Sequence, residues 1–197
     1  FTVSSDVVIR DSGWTDAVVP TAQQIPVYQL PDETLVYLLG SRYCETDRLT
    51  EEAWRLFGHT PPGWARVQAI CDFVHKHIEF GYQYARRSKS AWEAYNEGAG
   101  VCRDYAHVGI TLCRSLRIPA RMVVGYLHGL EPMDLHAWFE AYLDGRWYTF
   151  DARNNTPRIG RVLIARGRDA ADVAIATTFG PNTLQSFLVR TDEVIES

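Results

Sequence analysis

Several features are scarce in this sequence, and each scarcity removes a class of function. There are four cysteines, at 44, 71, 102 and 113, and no CxxC pair, which argues against a zinc knuckle or a thioredoxin-type redox motif. A chain of 197 residues can bury one substantial core without crosslinks, and sparse cysteines fit a reducing, cytoplasmic setting. No apolar run approaches the roughly 18 residues that span a bilayer, so no membrane partner is expected. Excess positive charge is missing too. The formal net charge of −4 gives no electrostatic reason to bind nucleic acid. No internal repeat or low-complexity stretch is present, and nothing calls for a cofactor or a resident metal. An initial methionine is also lacking, so the chain beginning at Phe1 reads as a processed product or a fragment, with room for a removed leader.

What is present is ordinary for a soluble globular protein: 46% hydrophobic and 22% charged residues. Residues 1–10 read as one β-strand with no partner nearby. Residues 11–35, rich in Pro, Gln, Ser and Asp, read as an extended linker. The expected organisation is therefore a segment 1–35 left over from an N-terminal β domain, followed by a catalytic domain over 36–197 whose compact part begins near Tyr37.

The patterning predicts helices first. Thr50 is a suitable N-cap for a short helix ending at Gly58. Pro61-Pro62-Gly63 opens a longer one, with Val67, Ile70, Cys71, Val74 and Ile78 at three- and four-residue spacing. A third runs from Ser90 to Asn96, and a fourth from Cys102 to a stop near Pro119. Strands follow at 121–127, 136–143, 146–151, 172–178 and 184–190. Helices followed by an antiparallel sheet make the class α+β, with the Cys102 helix packed on the sheet.

Asp144-Gly145 is the strongest hairpin signal. A two-residue turn there pairs Leu143 with Arg146 and sets Trp138 opposite Asp151. His136, Trp138 and Asp151 then share one face, with His136 diagonal to Asp151 at a backbone distance of roughly 7–8 Å that their side chains can bridge. Ala137, Phe139, Ala141, Tyr148, Phe150 and Ala152 take the other, apolar face.

The chemistry starts at Gly98-Ala99-Gly100-Val101-Cys102-Arg103-Asp104. Two glycines lead to a cysteine at a helix start, where the helix dipole favours the thiolate. With His136 as base and acid and Asp151 orienting the imidazole, the set makes a Cys-His-Asp acyl-transfer triad. The Cys102 N–H is one oxyanion donor; Trp92 or a nearby backbone amide is the candidate for the second.

Gly100-Val-Cys-Arg-Asp-Tyr-Ala-His107, Arg121-Met-Val-Val-Gly-Tyr126, His136-Ala-Trp-Phe-Glu140 and Trp147-Tyr-Thr-Phe-Asp-Ala152 resemble the bacterial transglutaminase-like superfamily, in its cysteine protease branch. The likeness runs from about Ser41 to near the C-terminus. It implies a papain-like core with Cys, His and Asp in that chain order, no cofactor, and a peptide or protein substrate cleaved or transamidated through a thioester. Ala152 departs from the proline that many relatives carry there. The superfamily includes proteases, transamidases, amidases and inactive members, so a binding module that keeps the fold is the competing reading, and a metal site on Cys102, His136 and Asp151 is a third.

Plainer roles are expected elsewhere. Cys44, Cys71 and Cys113 lack the setting of Cys102 and read as core. His107 points away from the sulfur on an ideal helix. His75 and His77 are badly spaced for a shared metal, and His128 sits in the loop before His136. Asp104 suits the helix dipole but opposes a thiolate, with Arg103 to offset it. Trp92, Tyr95, Tyr126, Trp138 and Trp147 are candidates for a cleft wall, or for core.

Overall fold

The computed structural model describes residues 2–194. Five helices, α1 (Asp32–Leu35), α2 (Thr46–Phe57), α3 (Trp64–His77), α4 (Ala91–Glu97) and α5 (Cys102–Ser115), precede a four-stranded antiparallel sheet. Its strands are β3 (Ala120–Leu127), β4 (His136–Leu143), β5 (Arg146–Phe150) and β6 (Arg161–Gly167), in the order β5-β4-β3-β6. A two-residue parallel pair, β1 (Glu79–Phe80) with β2 (Ala99–Gly100), leads the chain into α5. The class is α+β, as the order of patterns predicts.

The helix α5 is central because its sequence lets it be buried on almost every side. From Asp104 to Ser115 every residue is buried, and the helix packs on β3 and β4 while α2, α3 and α4 surround it. Gly109 makes the contact with the sheet possible. A Cβ there would lie 2.7 Å from the ring of Phe139, so only glycine admits the helix this close to β4. At the other end Arg117 takes φ +64° and the Ile118 N–H returns to the Cys113 carbonyl at 2.9 Å. That is the closing bond of a left-handed C-terminal cap, here without glycine.

The hairpin register is the one the turn dictates. Asp144 and Gly145 both have positive φ, and Leu143 pairs with Arg146 and Phe139 with Phe150. The apolar face of β4 and β5, from Ala137 to Ala152, is buried against the helices. On β4 the opposite face is buried too, and there Arg121 from β3 and Arg166 from β6 both bond Glu140, at 2.6 and 2.9 Å.

Four expectations need correction. Residues 2–10 form no strand and are exposed. The strands expected at 172–178 and 184–190 are absent; those stretches have β-forming composition but no neighbour to pair with, and propensity alone does not hold a strand. The fourth strand of the sheet is β6 instead, an edge strand whose Leu163 and Ile164 face solvent. The helix expected from Thr50 begins at Thr46, and the Thr50 hydroxyl bonds the Thr46 carbonyl inside it rather than capping it. The segment 11–35 is also more than a linker: Ala22, Leu30 and Thr34 are buried, the Trp64 N–H donates to the Ala22 carbonyl, and the Asp144 N–H donates to the Gln23 carbonyl. The last three positions of the expected 36–197 domain lie outside the described residues.

Candidate active site

Cys102 is the first residue of α5. Gly100, two residues earlier, leaves the room this start needs: a Cβ there would meet Asp104 at 2.6 Å. The space is taken by the Asp104 carboxylate, which accepts the Val101 N–H at 2.9 Å and so fixes the helix start. Asp104 is fully buried, and burial raises its pKa, partly opposed by that N–H and by Arg103. The Cys102 sulfur is partly exposed and stands 3.9 Å from the Leu135 carbonyl oxygen.

The other three thiols are buried. Burial pushes Cys44 up to about 11 and Cys71 and Cys113 well above the ordinary thiol range. That is the environment of inert core thiols.

His136, the first residue of β4, is buried, and its Nε2 lies 2.8 Å from Asp151 Oδ2. Burial alone would lower the imidazole pKa. Hydrogen bonding to Asp151 and to the Cys102 side chain outweighs it, and the result is a rise to about 9. Asp151 is desolvated, which favours the neutral acid, but His136 and Arg161 hold its pKa well below the usual carboxylate range. The diagonal relation that the hairpin predicts between the two residues is therefore realised as a direct contact.

Asp151 is held from all sides. Its Oδ1 accepts the backbone N–H groups of Arg153 and Asn154, at 3.1 and 3.2 Å. Its Oδ2 also accepts Asn154 Nδ2 at 2.9 Å, and that amide stands 3.2 Å from His136 Nε2. His75, from α3, sits 3.1 Å from both the Ala152 and Arg153 carbonyl oxygens and pins the turn that follows Asp151. Asn154 and His75 have no signature in the sequence beyond nearness to Asp151 in one case and a helical position in the other.

An open cleft runs over Cys102 and His136, lined by the apolar Phe80, Val101, Leu130, Pro132 and Leu135 and by Tyr82, with Glu131, Asp134, Arg153 and Asn154 supplying polar groups. The Tyr82 hydroxyl donates to Asp134 Oδ2 at 3.3 Å across it. Trp92 is not among the lining residues. Its N–H donates to Glu45 and the Arg48 guanidinium lies 4.7 Å over its ring, so it faces α2. Of the aromatic set, Trp138 alone approaches the histidine, stacked on its ring at 6.0 Å. Tyr95 packs against His77, and Trp147 against Tyr37 and Tyr142. His107 is a core residue: its ring stacks on Tyr43, its Nε2 accepts the Ala170 N–H, and burial lowers its pKa to about 3. His128 lies at Gly160, outside the cleft. Among the described residues no group of three or more His, Cys, Asp or Glu is placed to hold a metal ion, and none of the helices is long and apolar enough to cross a membrane.

The transglutaminase-like superfamily core matches residues 54–152, a span that contains Cys102, His136 and Asp151. The chain belongs to this superfamily. Of its solved relatives, a "putative cysteine protease" of Cytophaga hutchinsonii is 42% identical with a TM-score of 0.77, over 81% of this chain and 55% of the other. The periplasmic domain of TgpA from Pseudomonas aeruginosa shares the transglutaminase-like fold at 22% identity and a TM-score of 0.52, over 64% and 49% of the two chains. An uncharacterized protein of Mycobacterium leprae is 34% identical over 94 residues, 43% of this chain and 33% of its own length. The chain thus spans about half the length of the first solved relative and a third of the mycobacterial one.

Proposed function

We propose that the protein is a thiol-dependent acyl-transfer enzyme that cleaves or transamidates peptide or carboxamide bonds through a Cys102-His136-Asp151 triad. The single observation that carries this reading is the buried His136–Asp151 pair, closed at 2.8 Å, opening on the same cleft as the one partly exposed cysteine. The likeness to a Cytophaga protein described as a cysteine protease supports it.

The Cys102 thiol gives its proton to His136, and the sulfur attacks the substrate carbonyl carbon. The π electrons move to oxygen, and the oxyanion is met by the Cys102 N–H, which as the first of α5 has no acceptor one turn back. The Tyr82 hydroxyl lines the same cleft and would serve as the second donor by releasing Asp134, whereas the Trp92 ring faces Arg48 and does not line the cleft. As the tetrahedral adduct collapses, the C–N bond breaks and His136 returns its proton to the departing amine. The thioester then passes its acyl group to water, giving an acid, or to an amine, giving a new amide. In either case the incoming nucleophile loses its proton to His136 and the sulfur is released. Asp151 keeps the imidazole in one tautomer and stabilises its cation.

The test is a peptide library with an amine donor, combined with iodoacetamide labelling near pH 7. Cys102 is expected to label well before the other three, His136→Ala to slow that labelling by about 10²-fold, and Cys102→Ala to abolish turnover. Equal labelling of all four cysteines, or turnover that survives Cys102→Ala, refutes the proposal. Rapid Cys102 labelling without turnover of any substrate would favour a binding module on the same fold.

A further inference from the structure

Asp151 has a second cationic partner. Arg161 opens β6, and its Nη1 and Nη2 each lie 3.2 Å from Asp151 Oδ2, the oxygen that also meets His136. Its Nε faces the opposite way, 2.8 and 2.9 Å from the two carboxylate oxygens of Asp16. Asp16 is locked in turn by the backbone of Arg158: its N–H donates to the Arg158 carbonyl at 2.9 Å, and its Oδ2 accepts the Arg158 N–H at 3.0 Å. The side chains of Arg161 and Asp16 are only 10% and 14% exposed, so water screens these charges weakly. Both residues lie outside the 54–152 span that matches the family core.

A guanidinium on Asp151 competes with the imidazole for one oxygen. Alone, it would draw the carboxylate's field away from the ring and make the ring easier to deprotonate. Asp16 offsets that positive charge, so the buried row reads Asp16, Arg161, Asp151, His136, with alternating signs. The Arg161 guanidinium also lies 5.0 Å over the ring of Trp138, which is stacked on His136. The other groups that bear on the imidazole are Cys102 on α5 and, along the cleft, Asp134 and Arg153.

We propose that Asp16 and Arg161 are positioning residues for the His136–Asp151 pair: the N-terminal segment supplies the counter-charge that lets Arg161 fix the Asp151 carboxylate without weakening its hold on the imidazole. Its meaning for catalysis rests on the triad reading above, but its electrostatic content is measurable on the ring itself.

The experiment is an NMR titration of the His136 imidazole in the full chain, alongside kcat/KM against pH. In the unaltered protein the midpoint is expected near 9. Asp16→Asn is expected to lower it by about one pH unit and to move the alkaline limb of kcat/KM by the same amount, while Asp16→Glu keeps both. Arg161→Gln, which removes the cation and leaves Asp16, is expected to raise the midpoint, and the double variant to fall between the two singles. An unmoved midpoint in folded Asp16→Asn overturns the proposal. So does an unmoved midpoint in Arg161→Gln, which decides the matter should Asp16→Asn not fold. Shifted midpoints in a protein without turnover would sink the catalytic triad and leave this inference standing; unmoved midpoints with full turnover would do the reverse.

Discussion

At the scale of single residues, pH is the sharpest probe of the candidate triad. The His136 pKa is raised from 6.5 to about 9 in the folded chain, so its contribution to stability is complete below 6.5 and is lost as pH rises through about 9. Asp151 is depressed below its ordinary 3.8, so its contribution is complete above 3.8 and is lost as pH falls through the folded value. The two shifts describe one interaction and are not to be added. The pair is therefore worth most between about pH 4 and 6.5. Asp151→Asn should flatten the loss of stability between 6.5 and 9, seen in urea melts at several pH values, and should pull the alkaline limb of activity downward. A stability slope in that interval identical to the unaltered protein's would contradict this.

At the scale of elements, α5 and β4 meet through Gly109 and Phe139. Replacing glycine by alanine in a helix interior gains up to about 1 kcal/mol, but the new methyl would sit 2.7 Å from a ring that is itself stacked on Phe150. Overpacking of a buried contact costs about 1–3 kcal/mol, so the clash wins. Gly109→Ala is expected to lose about 1 kcal/mol net and Gly109→Val more, measured by urea unfolding. A stabilised Gly109→Ala would mean the ring moves aside freely. The legibility of the elements follows the same logic of local against distant cause. The helix at Cys102 and the β4–β5 hairpin are readable because their signals are local: glycines and Asp104 within a few residues of the cysteine, and a turn dipeptide that fixes the register of five residue pairs, from Leu143–Arg146 to Phe139–Phe150. From that register the His136–Asp151 contact follows. The strand β6 was not readable, since an edge strand with Leu163 and Ile164 exposed lacks strict alternation. Arg161 and Asp16 were hidden because 145 positions separate them and no periodicity connects them. Trp92 illustrates the opposite error: an aromatic residue near the cysteine in sequence whose ring lies under the Arg48 guanidinium of α2.

At the scale of the molecule, the N-terminal stretch divides into two parts of different worth. Residues 2–10 are exposed, whereas residues 16–24 are tied to β6, α3, the hairpin turn and the end of α5: Asp16 accepts from Arg161, Gln24 Nε2 donates to the Leu116 carbonyl at 2.9 Å, and Arg66 donates to Gln24 Oε1 at 3.1 Å. Deleting residues 1–9 is expected to change stability by less than about 0.5 kcal/mol. Deleting residues 1–25 would remove the buried Ala22, take Asp16 away from Arg161 and strip these bonds, with an expected loss of several kcal/mol, on the order of 3 or more. Thermal melts of the two truncations decide it. Equal melting temperatures would show that the segment merely rests on the domain.

Three of the four sulfhydryl groups are sealed inside, which turns the protein into its own unfolding gauge. A colorimetric thiol count taken without denaturant reads the cleft alone, and each additional equivalent that reacts marks a distinct region opening: Cys44 beside His107, Cys71 on α3, Cys113 near the end of α5. The order in which those equivalents appear would chart how the interior comes apart, with no residue replaced.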